Sequence, residues 1–376
     1  MPRSTKGSES PSVDHHTARP PHPPDTHPDT HPDTHFGGRP GRGGLMPGPK
    51  TALLVLLLLL GVVAVLSLAV GAKPIPLPDV WHALLHRDGS DDAVVVWERR
   101  LPRTLLGIAV GAALGLAGAL MQALSRNPLA DPGLLGVNAG AAAAVVAAGA
   151  LLPVSGLAET VWFAFLGAGL AAALVYVLGR GGVTGRTSPV RLILAGMAVT
   201  AVLASFTAGA TLLDTDSADR LRFWMVGSLA TADAGKVVMV LPFLAVGAAI
   251  ALSLSGRLNA LALGEEVGRA LGASPARTQL LSLAAVTVLC GAATAAVGPI
   301  TFVGLMVPHA VRLLTGPDQR WVLPLSMVCA PVVLLGSDLV GRVVVRPGEL
   351  EAGVVTALLG APLFIALVRR GRMAEL

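Results

Sequence analysis

Few side chains in this 376-residue chain are placed for catalysis or metal binding. Six of the nine histidines fall within the first 35 residues, around the repeated run Asp25-Thr26-His27-Pro28, Asp29-Thr30-His31-Pro32, Asp33-Thr34-His35. The surrounding Pro, Gly and polar residues cannot bury a core, so residues 1–50 are predicted to form a disordered, solvated tail, with weak metal binding by its histidines as the lesser alternative. His309 stands one helical turn from Arg312 with no Cys, His or carboxylate at ligand spacing, and marks the inner end of a helix. Cys290 and Cys329 lie in apolar runs and read as small buried hydrophobes. Gly235-Lys236 is followed by Val237, and GxxxxGK[ST] occurs nowhere, so a phosphate-cradling loop is missing. No catalytic, cofactor-binding or metal site is expected in this chain.

The elements that carry these residues are apolar. Hydrophobic residues make up 53% of the chain and charged residues 14%, with a mean hydropathy of +0.68; soluble domains carry about 25% charged residues. Stretches 104–125, 132–158, 192–213, 237–255 and 280–308 hold no Asp, Glu, Lys or Arg. Each approximates the ~20 residues of a helical crossing. Continuous apolar runs without period-two alternation favour helices over a barrel. Ten spans are predicted: 51–72, 101–125, 134–153, 158–179, 190–212, 236–255, 279–297, 301–314, 322–341 and 351–369. The fold class is all-α, a polytopic protein of the cell membrane with a permease domain over 51–372. Span 301–314 is short for a full crossing.

The net charge of +5 comes from arginines scattered between spans, which argues against nucleic acid. With both termini cytoplasmic, inner loops hold Arg126, Arg180, Arg186, Arg191, Arg257, Arg269, Arg277, Arg312 and Arg320, with Arg369, Arg370 and Arg372 at the end. Outer loops hold nearly as many cations, among them Lys73, Arg87, Arg99, Arg220, Arg222, Lys236 and Arg346, so the positive-inside rule supports this orientation only weakly. An outer surplus of arginine suits docking of an acidic partner.

Between Trp97 and Gly140 runs WERRLPRTLLGIAVGAALGLAGALMQALSRNPLADPGLLGVNAG. Pro102 suits a first helical turn, Gly111, Gly115 and Gly118 allow close helix contact, and Asn127-Pro128 with Asp131-Pro132 ends the helix. As a string this segment resembles the hallmark of the FecCD-type permease family, importers of iron-siderophore complexes, haem and vitamin B12. WMVGSL at 224–229, LNALALGEEVGRALG at 258–272, GPITFVGLMVPHAVR at 298–312, Gly336-Ser337-Asp338 with Arg342, Pro347-Gly348-Glu349, and GVVTALLGAPLFIALVRR at 353–370 follow in the family's order. The resemblance covers residues 51–372. It implies a ten-helix subunit that dimerises with itself or a related permease, a cytoplasmic ATPase dimer that binds ATP and Mg, and an outer solute-binding protein delivering a metal chelate.

Residues 258–272 are too polar for a span. Leu263, Val267, Ala270 and Leu271 share one apolar helical face, with Glu265 and Glu266 near the N-terminus where the helix dipole favours acids. The resemblance makes this a coupling segment for the ATPase, carried by Leu258, Asn259, Leu261, Leu263, Gly264, Val267, Ala270, Leu271 and Gly272. It also assigns Arg100, Arg103 and Arg342 to binding-protein docking. Along the fifth span Thr200, Thr207 and Thr211 lie on one face and are pathway candidates. Asp338 is the one acid inside a span, and at i−4 from Arg342 it permits an intrahelical pair. A gradient-driven carrier, which would use such an acid, is the rival class. Within the family a ferric siderophore is the expected cargo, with vitamin B12 or haem as alternatives.

Overall fold

The computed structural model describes residues 48–71, 73–151, 157–180, 189–213, 221–222, 224–346 and 348–369, and residues 46–376 form one compact unit. The predicted tail up to residue 47, with Arg186, Arg220, Pro347, Arg370 and Arg372, lies outside the described residues. The described elements are helical: α1 Pro49–Ala69, α2 Leu77–Leu85, α3 Asp91–Val95, a π turn Val96–Arg100, α4 Leu101–Ser125, a 3₁₀ turn Pro132–Leu135, α5 Val137–Leu151, α6 Leu157–Gly179, α7 Pro189–Leu213, α8 Ala234–Ser253, α9 Ser255–Ala262, α10 Glu265–Ala270, α11 Pro275–Val297, α12 Val303–Thr315, α13 Gln319–Val344 and α14 Ala352–Arg369.

Each of the ten predicted spans finds its helix, but they are not equivalent. Seven are long and apolar enough to cross a membrane, while Val137–Leu151, Val303–Thr315 and the apolar part of α14, Ala352–Ala366, are shorter. The 13 residues of α12 reach about 20 Å, short of the ~30 Å hydrocarbon core. This helix also opens inside the bundle, because Gly304 lies against Gly118 and the Gln122 Nε2 donates to the Leu305 carbonyl at 2.9 Å.

Small residues set how closely the central helices approach. A Cβ on Gly111 would lie 2.6 Å from Pro331 Cα, one on Gly115 2.4 Å from the Ser326 carbonyl oxygen, and one on Gly118 1.8 Å from that of Gly304. Rising α4 residue numbers meet falling α13 numbers, so the two helices run antiparallel with backbones in contact. Apolar helices gain little by hiding from lipid, and dispersion across such close surfaces is what joins them. A second backbone crossing brings three sequence strings together. Ser228 N donates to Val297 O at 2.7 Å and Gly353 N to Gly227 O at 2.9 Å. Gly298 sits at φ +78°, where a Cβ would be both strained and 2.1 Å from Trp224 O.

The stretch 73–100 carries more structure than the outer loop predicted there. Ser90 caps α3 by accepting from Ala93 N at 3.3 Å, while Val80, Ala83, Ala93 and Val96 pack with Leu68, Ala69 and Ile75 into a small apolar cluster over the end of α1. The sequence hid this because its apolar positions are few and interrupted by charge.

Candidate functional site

Two ends of the bundle hold the residues singled out from sequence. At one end lie the C-terminus of α1, the N-terminus of α4 and the C-terminus of α13; at the other lie α9 and α10.

At the first end a buried ionic network replaces the predicted arginine rim. Helix α1 terminates with unpaired carbonyls, as every helix does. Arg100 Nη1 donates to Leu68 O at 2.6 Å and Ala69 O at 2.7 Å, and its Nη2 bonds the Lys73 carbonyl. Arg342 Nη1 donates to Ser67 O at 2.9 Å and Val70 O at 3.1 Å. These two arginines are 6% and 2% exposed, so they cap a helix C-terminus, where positive charge is favourable. Asp338, fully buried on α13, accepts from Arg342 Nη2 and from Arg103 Nη2 at 2.7 Å and Nε at 3.1 and 3.2 Å. Arg103 Nη1 reaches out to Glu349 Oε2 at 2.7 Å. The structure therefore brings Arg100, Arg103 and Arg342 together but turns Arg100 and Arg342 inward. Only Arg103, through Glu349, has an outlet to the surface. Their charge suggested a rim because sequence carries no sign of the carbonyls they cap. Nearby, hydrogen bonding and then charge from Asp92, 2.7 Å away, hold the exposed Lys73 ammonium above its ordinary pKa.

At the second end, 258–272 forms two short helices broken at Gly264, whose φ of +109° disfavours any side chain. The single amphipathic helix expected over 263–271 thus begins only at Glu265. Leu263 and Leu271 are 66% and 63% exposed, and Val267 and Ala270 are exposed with them. Such a bare apolar patch on a polar element marks an interaction surface. Leu258 is buried and Leu261 partly so, with the Leu261 side chain packed beside Gly268. Asn259 faces the bundle too: its Nδ2 donates to Asp318 Oδ1 at 2.5 Å and its Oδ1 accepts from Gln319 N at 2.9 Å. Arg126 Nη2 donates to Leu261 O at 2.7 Å. Asn259 anchors the segment to the start of α13 and Arg126 ties it to the end of α4, leaving Leu263, Val267, Ala270 and Leu271 outward. Gly272, at φ +82°, closes the segment.

Beside this anchor Arg312 Nη1 bonds Gln122 Oε1, and both residues are buried. His309 is buried with both ring nitrogens unpartnered among the described residues. Sequence placed this pair at a helix end, and α12 does end three residues beyond Arg312; the Gln122 partner was not foreseen, since 190 residues separate the two.

Helix α7 packs on α5 and α6 and leaves Met197, Val202 and Phe206 bare. Thr200, Thr207 and Thr211 lie on its half-buried side instead. Thr207 and Thr211 donate to Leu203 O and Ala208 O of their own helix at 2.8 and 2.9 Å, and Thr200 faces Gly136.

This architecture is matched by known proteins. The chain is 52% identical over 315 residues to the ferric enterobactin transport system permease protein FepD of Escherichia coli (strain K12), covering 84% of this chain and 94% of that protein. It is 41% identical over 307 residues to the Fe(3+)-citrate import system permease protein YfmD of Bacillus subtilis (strain 168), covering 82% and 91%. A solved inward-facing metal-chelate type ABC transporter superposes with a TM-score of 0.74 at 30% identity, covering 86% of this chain and 99% of that one. The model of the FecCD transport family matches residues 57–370. With that match over most of its length, and with relatives this similar, the chain is a multi-pass membrane permease that belongs to the FecCD transport family.

Proposed function

We propose that this permease passes a ferric siderophore inward as part of an ATP-driven importer. The observation that carries the substrate class is the 52% identity, over 94% of its length, to a permease named for ferric enterobactin. The vitamin B12 alternative has weaker support, a 40% identity over 279 residues to a cobalamin import system permease protein, and haem rests on the family alone. A gradient-driven carrier would need an acid free to bind an ion near the midplane. Asp338 is held by two arginines close to one end of the bundle.

The partners are a second permease, an ATPase pair and a solute-binding protein. ATP and Mg belong to the ATPase, because this chain carries no phosphate-cradling motif. The exposed Leu263, Val267, Ala270 and Leu271 form the coupling surface that the ATPase grips, and that end of the bundle faces the cytoplasm, as do both termini. The binding protein docks at the opposite end. There Arg100 and Arg342 shape the surface from beneath, and Arg103 with Glu349 presents it. Thr200, Thr207 and Thr211 are retained as pathway residues through their remaining lone pairs. Nucleotide binding drives the change of access by favouring one state over the other.

Single cysteines at Leu263 and Leu271 should crosslink to a co-purified ATPase, while one at Arg99, at the other end, should not. Crosslinking from Arg99 and none from the two leucines would reverse the assignment.

A further inference from the structure

At the α4 N-terminus, on the side of α4 that carries Leu101 and Leu105 rather than Arg103, a groove of about 620 Å³ opens between the α3–π turn–α4 region and the first turns of α8. That volume lies within the roughly 300–1,000 Å³ of ordinary ligand sites. Its two parts have different chemistry. The floor is apolar, with Leu101 and Leu105 from α4 and Val238 from α8. Val238 is 72% exposed, and exposed Leu241 continues it one turn further along α8. Helices α4 and α8 are both long and apolar enough to cross the membrane, so this exposed apolar flank suits acyl chains.

The mouth is polar and rigidly built. The Trp97 ring is fixed by its Nε1 donating to Ala83 O at 2.8 Å, and the Arg87 guanidinium lies over that ring at 3.7 Å. A stacked guanidinium keeps its N–H edges free for an anion. Glu98 lines the same mouth. Among the described residues neither the Arg87 nor the Glu98 side chain makes a hydrogen bond or ion pair, with the other or with any neighbour. An indole at the edge of a span is the usual companion of lipid headgroups.

We infer that this groove binds a zwitterionic aminophospholipid, phosphatidylethanolamine, with its phosphate on Arg87, its ammonium on Glu98 and an acyl chain along Leu101, Leu105 and Val238. An anionic headgroup would satisfy Arg87 but be repelled by Glu98. A trimethylated headgroup offers Glu98 no N–H donor, and the Trp97 face that would take it is covered by Arg87. The apolar floor selects a lipid over a soluble phosphoethanolamine.

The test is native mass spectrometry of the full-length chain in detergent, with phosphatidylethanolamine, phosphatidylcholine and phosphatidylglycerol offered at equal concentration. Wild type should retain phosphatidylethanolamine about fivefold or more over the others, the effect expected of two charge-assisted hydrogen bonds. Arg87→Ala should abolish the preference, and Glu98→Lys should turn it toward phosphatidylglycerol. Glu98→Gln, a milder change, serves if the lysine variant does not fold, and should lose the preference for phosphatidylethanolamine over phosphatidylcholine. Equal retention of the three lipids by wild type would make the groove ordinary annular surface and overturn the inference. So would glycerophosphoethanolamine, which has no acyl chain, competing as well as the lipid. A photocrosslinker at Val238 in membranes should label lipid; labelling a protein partner there instead would also overturn it.

Discussion

Asp338 pairs with two guanidiniums at once, and its removal is the sharpest residue-level probe. Breaking a buried pair strands a charge and costs about 3–5 kcal/mol, and here Asp338 is fully buried with Arg342 2% exposed. Asp338→Ala should therefore lower the melting temperature and yield of the purified protein well beyond a surface substitution. Replacing Asp338 and Arg342 together by Leu and Met should recover part of the loss, because Arg103 keeps Glu349. If Asp338→Ala melts like wild type, the network is not what holds α1, α4 and α13 together at this end. The i, i+4 spacing made the Asp338–Arg342 pair legible beforehand. Arg103, 235 positions away from Asp338, was not, since the contact depends on α4 and α13 lying side by side.

Among the elements, the α4 glycines allow the most direct test of packing. A side chain at Gly118 would place Cβ 1.8 Å from Gly304 O; backbone cannot give way as a flexible side chain can, so Gly118→Val should yield little folded protein, read by monodispersity after extraction. Normal folding would mean that α4 and α12 approach less closely than described. The coupling segment should behave in the opposite way. Leu263→Asp with Leu271→Asp changes exposed positions and should leave yield intact, but reduce uptake about tenfold or more, as loss of central contacts of 2 kcal/mol or greater would. Unchanged uptake would remove the segment from coupling.

Helix positions were legible to within a few residues because apolar runs punctuated by Pro, Gly and Asn-Pro leave little freedom. The α4 glycines were equally readable, since small residues three or four apart on a membrane helix allow close helix contact. The division of 258–272 was less so. Its apolar face was visible, but the break at Gly264 and the inward turn of Asn259 depend on Asp318 and Gln319, far along the chain. The same limit applied to the docking arginines: charge is read from sequence, while what the charge faces is not.

At the scale of the molecule, a tightly packed centre of α4, α11 and α13 stands beside sparsely covered α1 and α8 and a nearly bare α7. The rigid part carries the ionic network at one end and the anchored segment at the other. On the proposed reading, a push on α9 and α10 would be passed into α4 and α13 through Arg126 and Asn259. The central claim, that the assembled importer carries ferric siderophores, is tested by uptake in a strain deleted for this chain alone. Iron-labelled catecholate, hydroxamate and citrate chelates, haem and labelled cobalamin would be supplied separately, with and without the chain restored. Uptake of at least one ferric siderophore should disappear on deletion and return with the wild-type chain, while cobalamin and haem uptake stay unchanged. Loss and rescue of cobalamin or haem uptake, with every ferric chelate unaffected, would contradict the account.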